Sequence, residues 1–305
     1  MASKIEWTDN TWNPITGCTK ISAGCQNCYA ENMAKRFGGE NGFKLTLRPE
    51  KLDIPLGRKK PTTYFVCSMS DLFHEDVPFE YIDKIWVIMA LTPHHTYQVL
   101  TKRPKRMAEY FERHFTRHKI GALAVKYTKN FHPDGHGCDS DICNGMFPLK
   151  NVWLGVTAEN QDQAQKRIPI LLEIPASKRF ISVEPMLDKI NLKHLGFLKG
   201  QAPKDRLCLC DGLEGTVYDF GSTNTVEINK LDWVICGGES GQRARPLNPE
   251  WVKDLQEQCA ATNTPFFFKQ WGEFTWKDGE MFRVGKKEAG YLINGKEYRE
   301  MPVKR

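Results

Sequence analysis

TTYFVCSMSD, Thr62 to Asp71, joins an apolar run of strand length to small polar residues ending in a carboxylate. Thr62 to Cys67 is rich in β-branched and aromatic side chains and does not alternate, so it reads as a strand buried on both faces, as parallel pairing requires. The same signature recurs at Thr96 to Thr101 (TYQVLT), Val152 to Val156 (VWLGV), Arg179 to Val183 (RFISV), Trp233 to Cys236 (WVIC) and Pro265 to Phe268 (PFFF). A weaker first strand is expected near Ile5 to Trp12. Between the strands, Tyr81, Ile82, Ile85, Trp86, Ile88 and Met89 recur at helical spacing. Val252, Leu255 and Cys259 do the same after Asn248-Pro249-Glu250, where Asn caps and Pro suits the first turn. Helices are also expected over Arg103 to Phe115 and Asn160 to Ile174, with Pro169 kinking the latter or ending it early. About seven β/α units result, which favours a partial or complete parallel β/α barrel over an open doubly wound sheet.

Lys119 to Lys150 and Lys193 to Lys230 interrupt this rhythm with long, polar, cysteine-bearing stretches, which read as insertions within one domain over 1–272. After Gly272 the chain alternates and carries the turn pairs Asp278-Gly279 and Asn294-Gly295, so 273–305 is expected to form a small β-hairpin appendage.

With 305 residues, 40% hydrophobic content and no apolar run near the roughly 20 residues of a membrane span, the chain reads as a globular, cytoplasmic protein. The start MASKIEWTDN has no signal-peptide character. In a reducing compartment, ten cysteines point to metal, cluster or nucleophile chemistry rather than disulfides. A formal charge of +6, locally concentrated at Arg48 to Lys60 and Lys102 to Arg117, permits a nucleic-acid partner.

In a parallel barrel the chemistry sits where strands end. Those ends read Thr11 to Cys28, Cys67 to Asp71, Thr101-Lys102-Arg103, Thr157 to Asn160, Glu184-Pro185, Gly237 to Gly241 and Lys269-Gln270-Trp271. The first holds Cys18, Cys25 and Cys28 within eleven residues, with a CxxC pair leading into the helix-like YAENMAKRF. A closed zinc site needs a fourth ligand, and the nearest further thiol is Cys67 on another element. A cubane iron–sulfur cluster on three thiolates leaves one iron open for a small molecule. The spacing suits either.

Position and motif favour the cluster. Three thiols on the loop after the first barrel strand resemble the radical S-adenosylmethionine (radical SAM) enzymes, spore photoproduct lyase among them. The stretches TWNPITGCTKISAGCQNCYAE, SMSDLFHEDVP, QVLTKRP, WLGVTAEN, SVEPML, WVICGGESG and PFFFKQWG resemble a phage-associated three-cysteine-motif family more closely still. The usual radical enzyme has three residues between its first two cysteines and an aromatic before the third; this chain has six, with Asn27 in the aromatic's place. The resemblance implies that Cys18, Cys25 and Cys28 bind a [4Fe–4S] cluster whose fourth iron chelates S-adenosylmethionine, served by an external one-electron reductant. It places the methionine ammonium at Ser68, Ser70 and Asp71, its carboxylate at Lys102, and the ribose at Thr157, Glu159 and Asn160. Glu184, Glu239 and Lys269 are then left as catalytic groups for substrate or proton transfer.

Each assignment has a bland counterpart. Asp71 could cap the turn that follows, and Lys269 could only pair with Glu184 or Glu239. Cys67, Cys236 and Cys259 read as small buried hydrophobes, and His74, His94 and His95 as surface or loop histidines. His132, His136, Cys138 and Cys143, with Cys208 and Cys210, hold enough soft ligands for a second, zinc-type site. Trp12, Lys102, Arg103, Arg243, Arg245, Lys269 and Trp271 could stack a base and meet phosphates, so a nucleotide or nucleic acid is the expected substrate, in modification or repair; equally, the aromatics there could only pack the tail hairpin. Two other classes remain open: a zinc-bearing nucleic-acid-binding protein without chemistry, and a barrel hydrolase with Glu184 and Glu239 as acid and base.

Overall fold

The computed structural model describes residues 5–37, 42–114, 148–196, 208–219, 225–277 and 279–303. The strands are β1 (Asn10–Trp12), β2 (Ile15–Thr16), β3 (Thr46–Leu47), β4 (Thr63–Val66), β5 (Thr96–Thr101), β6 (Val152–Thr157), β7 (Lys178–Val183), β8 (Cys208–Asp211), β9 (Thr216–Asp219), β10 (Thr225–Glu227), β11 (Trp233–Cys236), β12 (Phe266–Phe268), β13 (Phe274–Lys277) and β14 (Glu280–Arg283). The α-helices are α1 (Tyr29–Phe37), α2 (Phe79–Leu91), α3 (Pro104–His114), α4 (Gln161–Glu173), α5 (Pro249–Ala261) and α6 (Lys286–Ala289).

The principal sheet has seven strands in the order β1-β4-β5-β6-β7-β11-β12. The pairs β1–β4, β4–β5, β7–β11 and β11–β12 are parallel. Each strand neighbours the next principal strand along the chain and the order never reverses, so the sheet is wound in one direction. A doubly wound sheet would carry a switch point where the order turns back, and none is present among the described strands. The order ends at β1 and β12 without closing, which is the topology of a partial parallel barrel.

The chain divides into two compact units. One comprises 1–19, 33–154 and 174–177; the other comprises 20–32, 155–173 and 178–305. The core of the first is aromatic: Trp12, Trp86, Tyr97, Tyr110 and Phe73 are all but inaccessible, and Tyr64 stacks on Tyr97 with centroids 5.6 Å apart. Phe180, Trp233, Phe266 and Phe268 fill the second. There Gly155 is required by packing, because a Cβ would meet the Phe180 ring at 2.6 Å.

Several boundaries differ from the expected ones. The first strand is confined to Asn10–Trp12 rather than running from Ile5. Pro169 does not end α4, which continues to Glu173. The roughly 3 kcal/mol that an internal Pro costs is outweighed by burial of Ile168, Leu171 and Leu172, each worth about 1.5–3 kcal/mol. The Lys193 to Lys230 insertion carries its own antiparallel sheet, β10-β9-β8, whereas residues 119–147 of the other lie outside the described residues. In the tail, β13 pairs antiparallel with β14 across Gly279, whose φ of +82° is the left-handed conformation a tight turn demands. Among the described residues no helix is long and apolar enough to cross a membrane.

Candidate functional site

The first cysteine is placed by glycine geometry. Gly17 adopts φ +82°, and a Cβ there would run into the backbone of Lys44, so only glycine admits the approach. Its N–H donates to Met69 O (2.9 Å) and its carbonyl accepts from Ser70 Oγ (2.6 Å), which lays Cys18 beside the end of β4. Ser68 Oγ donates to Asn13 Oδ1 at 3.2 Å, and Met69 N donates to the same oxygen. Asp71, 6% exposed, accepts from Phe73 N, Thr101 Oγ1, Lys102 N and Arg103 Nη1. It therefore organises the ends of β4 and β5 in addition to making the local turn that the bland reading anticipates.

Arg103 is the hub of this unit, and only the sequence TKRP hinted at it. Its Nε donates to both oxygens of Glu75 (3.0 and 2.8 Å). Nη1 reaches Asp71 Oδ2 (3.2 Å) and Cys18 Sγ (3.5 Å), while Nη2 reaches Thr19 O (3.2 Å) and Thr19 Oγ1 (2.9 Å). Burial disfavours its charge, but Asp71, Cys18 and Glu75 more than restore it. His74 is not a surface histidine. It is 2% exposed, and Asp76 N donates to its Nδ1 (3.1 Å), so Nε2 carries the proton toward Thr19 Oγ1 (2.9 Å). Burial first, then the Arg103 charge, lowers its pKa and keeps it neutral.

The second unit holds the remainder of the cysteine loop by two carboxylates. Glu159, fully buried, accepts from Gly24 N (3.1 Å) and from Arg167 Nη1 (2.9 Å), itself bonded to Thr157 O (2.7 Å). A Cβ at Gly24 would lie 3.0 Å from the Glu159 carboxyl carbon, so a glycine there keeps the approach open. Glu239 accepts from Asn27 Nδ2 (3.0 Å), from Arg245 N and Nε (2.9 Å each) and from Arg245 Nη2 (2.7 Å). Burial alone would raise the Glu239 pKa; the bonds from Arg245 and Asn27 prevail and hold it below the usual carboxylate range. Arg245 continues to Gln26 Oε1 (3.2 Å) and Ala23 O (3.0 Å). Glu184 and Lys269 form a half-buried pair at 2.7 Å, beside bare Gly237, whose added Cβ would lie 3.3 Å from the Lys269 Cβ. Asn160 caps α4, accepting from Gln163 N at 3.0 Å.

A family model described as a protein of unknown function, DUF5131, matches residues 2–302. The chain belongs to that family. No curated protein and no solved structure matches it.

In this DUF5131 chain the cysteines sort sharply by environment. Cys67, Cys210, Cys236 and Cys259 are buried, and burial raises each thiol pKa, to about 12 for Cys210 and Cys259. Cys18, Cys25 and Cys28 are half-exposed and free of disulfides. Among the described residues no three His, Cys, Asp or Glu side chains stand at metal-ligating spacing. Three thiols are the donor set that a cubane iron–sulfur cluster would take, but the structure does not draw these three together. Of the second metal set, His132, His136, Cys138 and Cys143 lie outside the described residues, as does the Cys208 side chain.

One mouth residue is corrected. Trp12 cannot stack a base: it is 0% exposed and its Nε1 donates to Lys51 O at 2.8 Å. Its indole area made it look like a binding group, but the same area stabilises most when removed from water. Trp271, half-buried, packs edge-on against Phe268 (4.7 Å) and donates from Nε1 to Leu292 O at 2.9 Å.

Proposed function

We propose that this chain is a radical SAM enzyme in which Cys18, Cys25 and Cys28 hold a [4Fe–4S] cluster, built on a partial barrel of that family's type. The observation that carries the reading is the sorting of thiols: the three on one loop are accessible, whereas the four other described ones are buried and kept protonated. Ligation needs thiolates, which half-exposed sites permit and apolar burial opposes. When bound, the cluster supplies the electron that cleaves the sulfonium carbon–sulfur bond of S-adenosylmethionine.

The other roles belong to the chain. Asp71, Ser68 and Ser70 are engaged by Arg103, Asn13 and Gly17, so we assign them to shaping the cysteine loop. Glu159 and Glu239 hold its far part through Gly24 and Asn27. Lys102, half-buried after β5, is the cation for the methionine carboxylate. The Glu184–Lys269 pair follows β7 and β12, where a barrel places substrate, and it offers a carboxylate and an amine 2.7 Å apart as candidates for proton transfer. A nucleotide or nucleic acid is the substrate class, in keeping with the net charge of +6, and a cytoplasmic one-electron donor is the reductant.

The test is anaerobic reconstitution followed by iron and sulfide analysis and a search for 5′-deoxyadenosine on adding S-adenosylmethionine and dithionite. Iron with sulfide in the native chain, lost in Cys25→Ser and Cys28→Ser, is expected. A native chain that takes up no iron refutes the proposal.

A further inference from the structure

We infer that the loop over residues 55–62 is a docking surface for a nucleic-acid backbone, with Arg58, Lys59 and Lys60 as its phosphate contacts. It rests on the proposed function for its substrate class alone. The loop leads into β4 beside the start of β5, whereas Asp71 and Lys102 follow the ends of those strands. A parallel barrel keeps its chemistry at the strand ends, so cations gathered at the strand starts serve docking.

The loop reads PLGRKKPT, three consecutive cations with no acidic residue between Ile54 and Thr62. All three are exposed. Arg48, in the same basic stretch, is matched by Glu50 at 2.7 Å. Lys59 and Lys60 meet no acid among the described residues.

Two histidines fix the loop. His95 is 1% exposed; its Nδ1 accepts from Thr62 N (3.2 Å) and its Nε2 donates to Pro55 O (3.1 Å), so one imidazole bonds both ends. His94, its ring 4.0 Å from that of His95, donates from Nε2 to Arg58 O at 3.0 Å. Arg58 N also donates to Pro55 O (3.1 Å), and Thr62 Oγ1 donates to Lys60 O (2.9 Å). A flexible basic run loses conformational entropy when it binds; here the main chain under the cations is ordered beforehand.

An exposed cation gains little from one small anion, because water screens the pair. A nucleic-acid backbone changes the balance. Duplex DNA carries one charge per ~1.7 Å of axis, and residues in extended chain advance about 3.3 Å each, so neighbouring cations meet several phosphates together and release their counterions. Anionic membranes are bound by clusters of about 4–8 Lys or Arg next to a helix. This loop offers three cations and no helix.

The experiment follows the fluorescence anisotropy of a labelled single-stranded DNA of about 20 nucleotides with the native, metal-free chain, from ~0.05 to ~0.3 M KCl. In Arg58→Gln/Lys59→Gln/Lys60→Gln the slope of log affinity against log salt should be shallower by about 2, at ~0.7 per phosphate contact on a single strand. That is about a hundredfold loss at ~0.1 M salt relative to ~1 M. Lys277→Gln/Lys286→Gln/Lys287→Gln removes the same charge from exposed tail positions and should leave the slope unchanged. Equal slopes in the native chain and the loop variant overturn the inference. So does an equal change in the tail variant, which would make the effect one of net charge. A native chain that binds no DNA at the lowest salt overturns it too. Binding to phosphatidylserine vesicles that the loop variant loses, with DNA affinity unmoved, would overturn it in favour of a membrane. If the triple variant fails to fold, Lys59→Gln/Lys60→Gln carries the same test, with a slope change of about 1. Iron uptake by the cysteines is measured separately, so a failed cluster leaves this result standing and a failed docking surface leaves the cluster standing.

Discussion

Arg167→Met should be among the most damaging changes to the second unit, although Arg167 touches no cysteine. The Glu159 carboxylate is 0% exposed and Arg167 is 5% exposed, with Nη1 2.9 Å from Oε2. Removing one partner of a buried pair strands the other's charge, which costs about 3–5 kcal/mol. At about 2–4 °C per kcal/mol for domains of 150–250 residues, the melting temperature should fall by roughly 6–20 °C. Glu159→Gln strands the Arg167 cation instead and should cost a similar amount. The double variant Arg167→Met/Glu159→Gln carries no buried charge, and its glutamine oxygen can still accept from Gly24 N. Its cost should be only about 1–2 kcal/mol. Urea unfolding of the four proteins closes a double-mutant cycle, and a coupling well above the ~0.5 kcal/mol seen for independent sites is expected. Singles that cost less than ~1 kcal/mol and simply add would show that this pair is hydrated and the reasoning wrong. Hydrogen exchange gives a local readout: the Gly24 amide should exchange faster in Glu159→Ala than in the double variant.

Three other outcomes follow from the same geometry. Iodoacetamide on the native, metal-free chain should label Cys18, Cys25 and Cys28 well before Cys67, Cys210, Cys236 and Cys259, read by peptide mass spectrometry; equal labelling would remove the basis for singling out the trio. His95 is 1% exposed, accepts from Thr62 N (3.2 Å) and has its pKa lowered chiefly by burial and in part by His94, against a raising contact with Pro55 O. Its stabilising contribution is therefore complete above the unfolded value of ~6.5 and is lost as pH falls from there through the folded pKa. Melting temperatures between pH 7.5 and 5 should drop less in His95→Gln than in wild type, and parallel slopes would contradict this. Lys269→Met should lower substrate turnover by about 10²–10⁴-fold if the Glu184 pair moves a proton, with iron content unchanged; full turnover would remove the pair from the chemistry.

Much of the architecture was legible in the residues. A strand buried on both faces has to be a continuous apolar run, so TYQVLT, VWLGV and WVIC announce themselves, and short runs separated by helical spacing imply parallel crossovers. The end of α4 was not legible, because Pro169 counts against a helix locally and only burial of Ile168, Leu171 and Leu172 overrides it. His74 and His95 were misread for the same reason: a histidine's burial depends on what folds over it, which no local pattern encodes.

The candidate site divides along the same line. Three thiols in eleven residues, and polar groups after nearly every expected barrel strand, are properties of the chain as written and needed no coordinates. Which acid meets which base was decided only by folding: Glu159 finds Arg167 eight positions away, Glu239 finds Asn27 across 212, and Arg103 finds Cys18 across 85. Backbone periodicity is a local consequence of sterics and burial and so survives in one dimension. Charge pairing depends on distances of a few ångströms between side chains far apart in the chain, and those distances exist only once the strands are laid side by side.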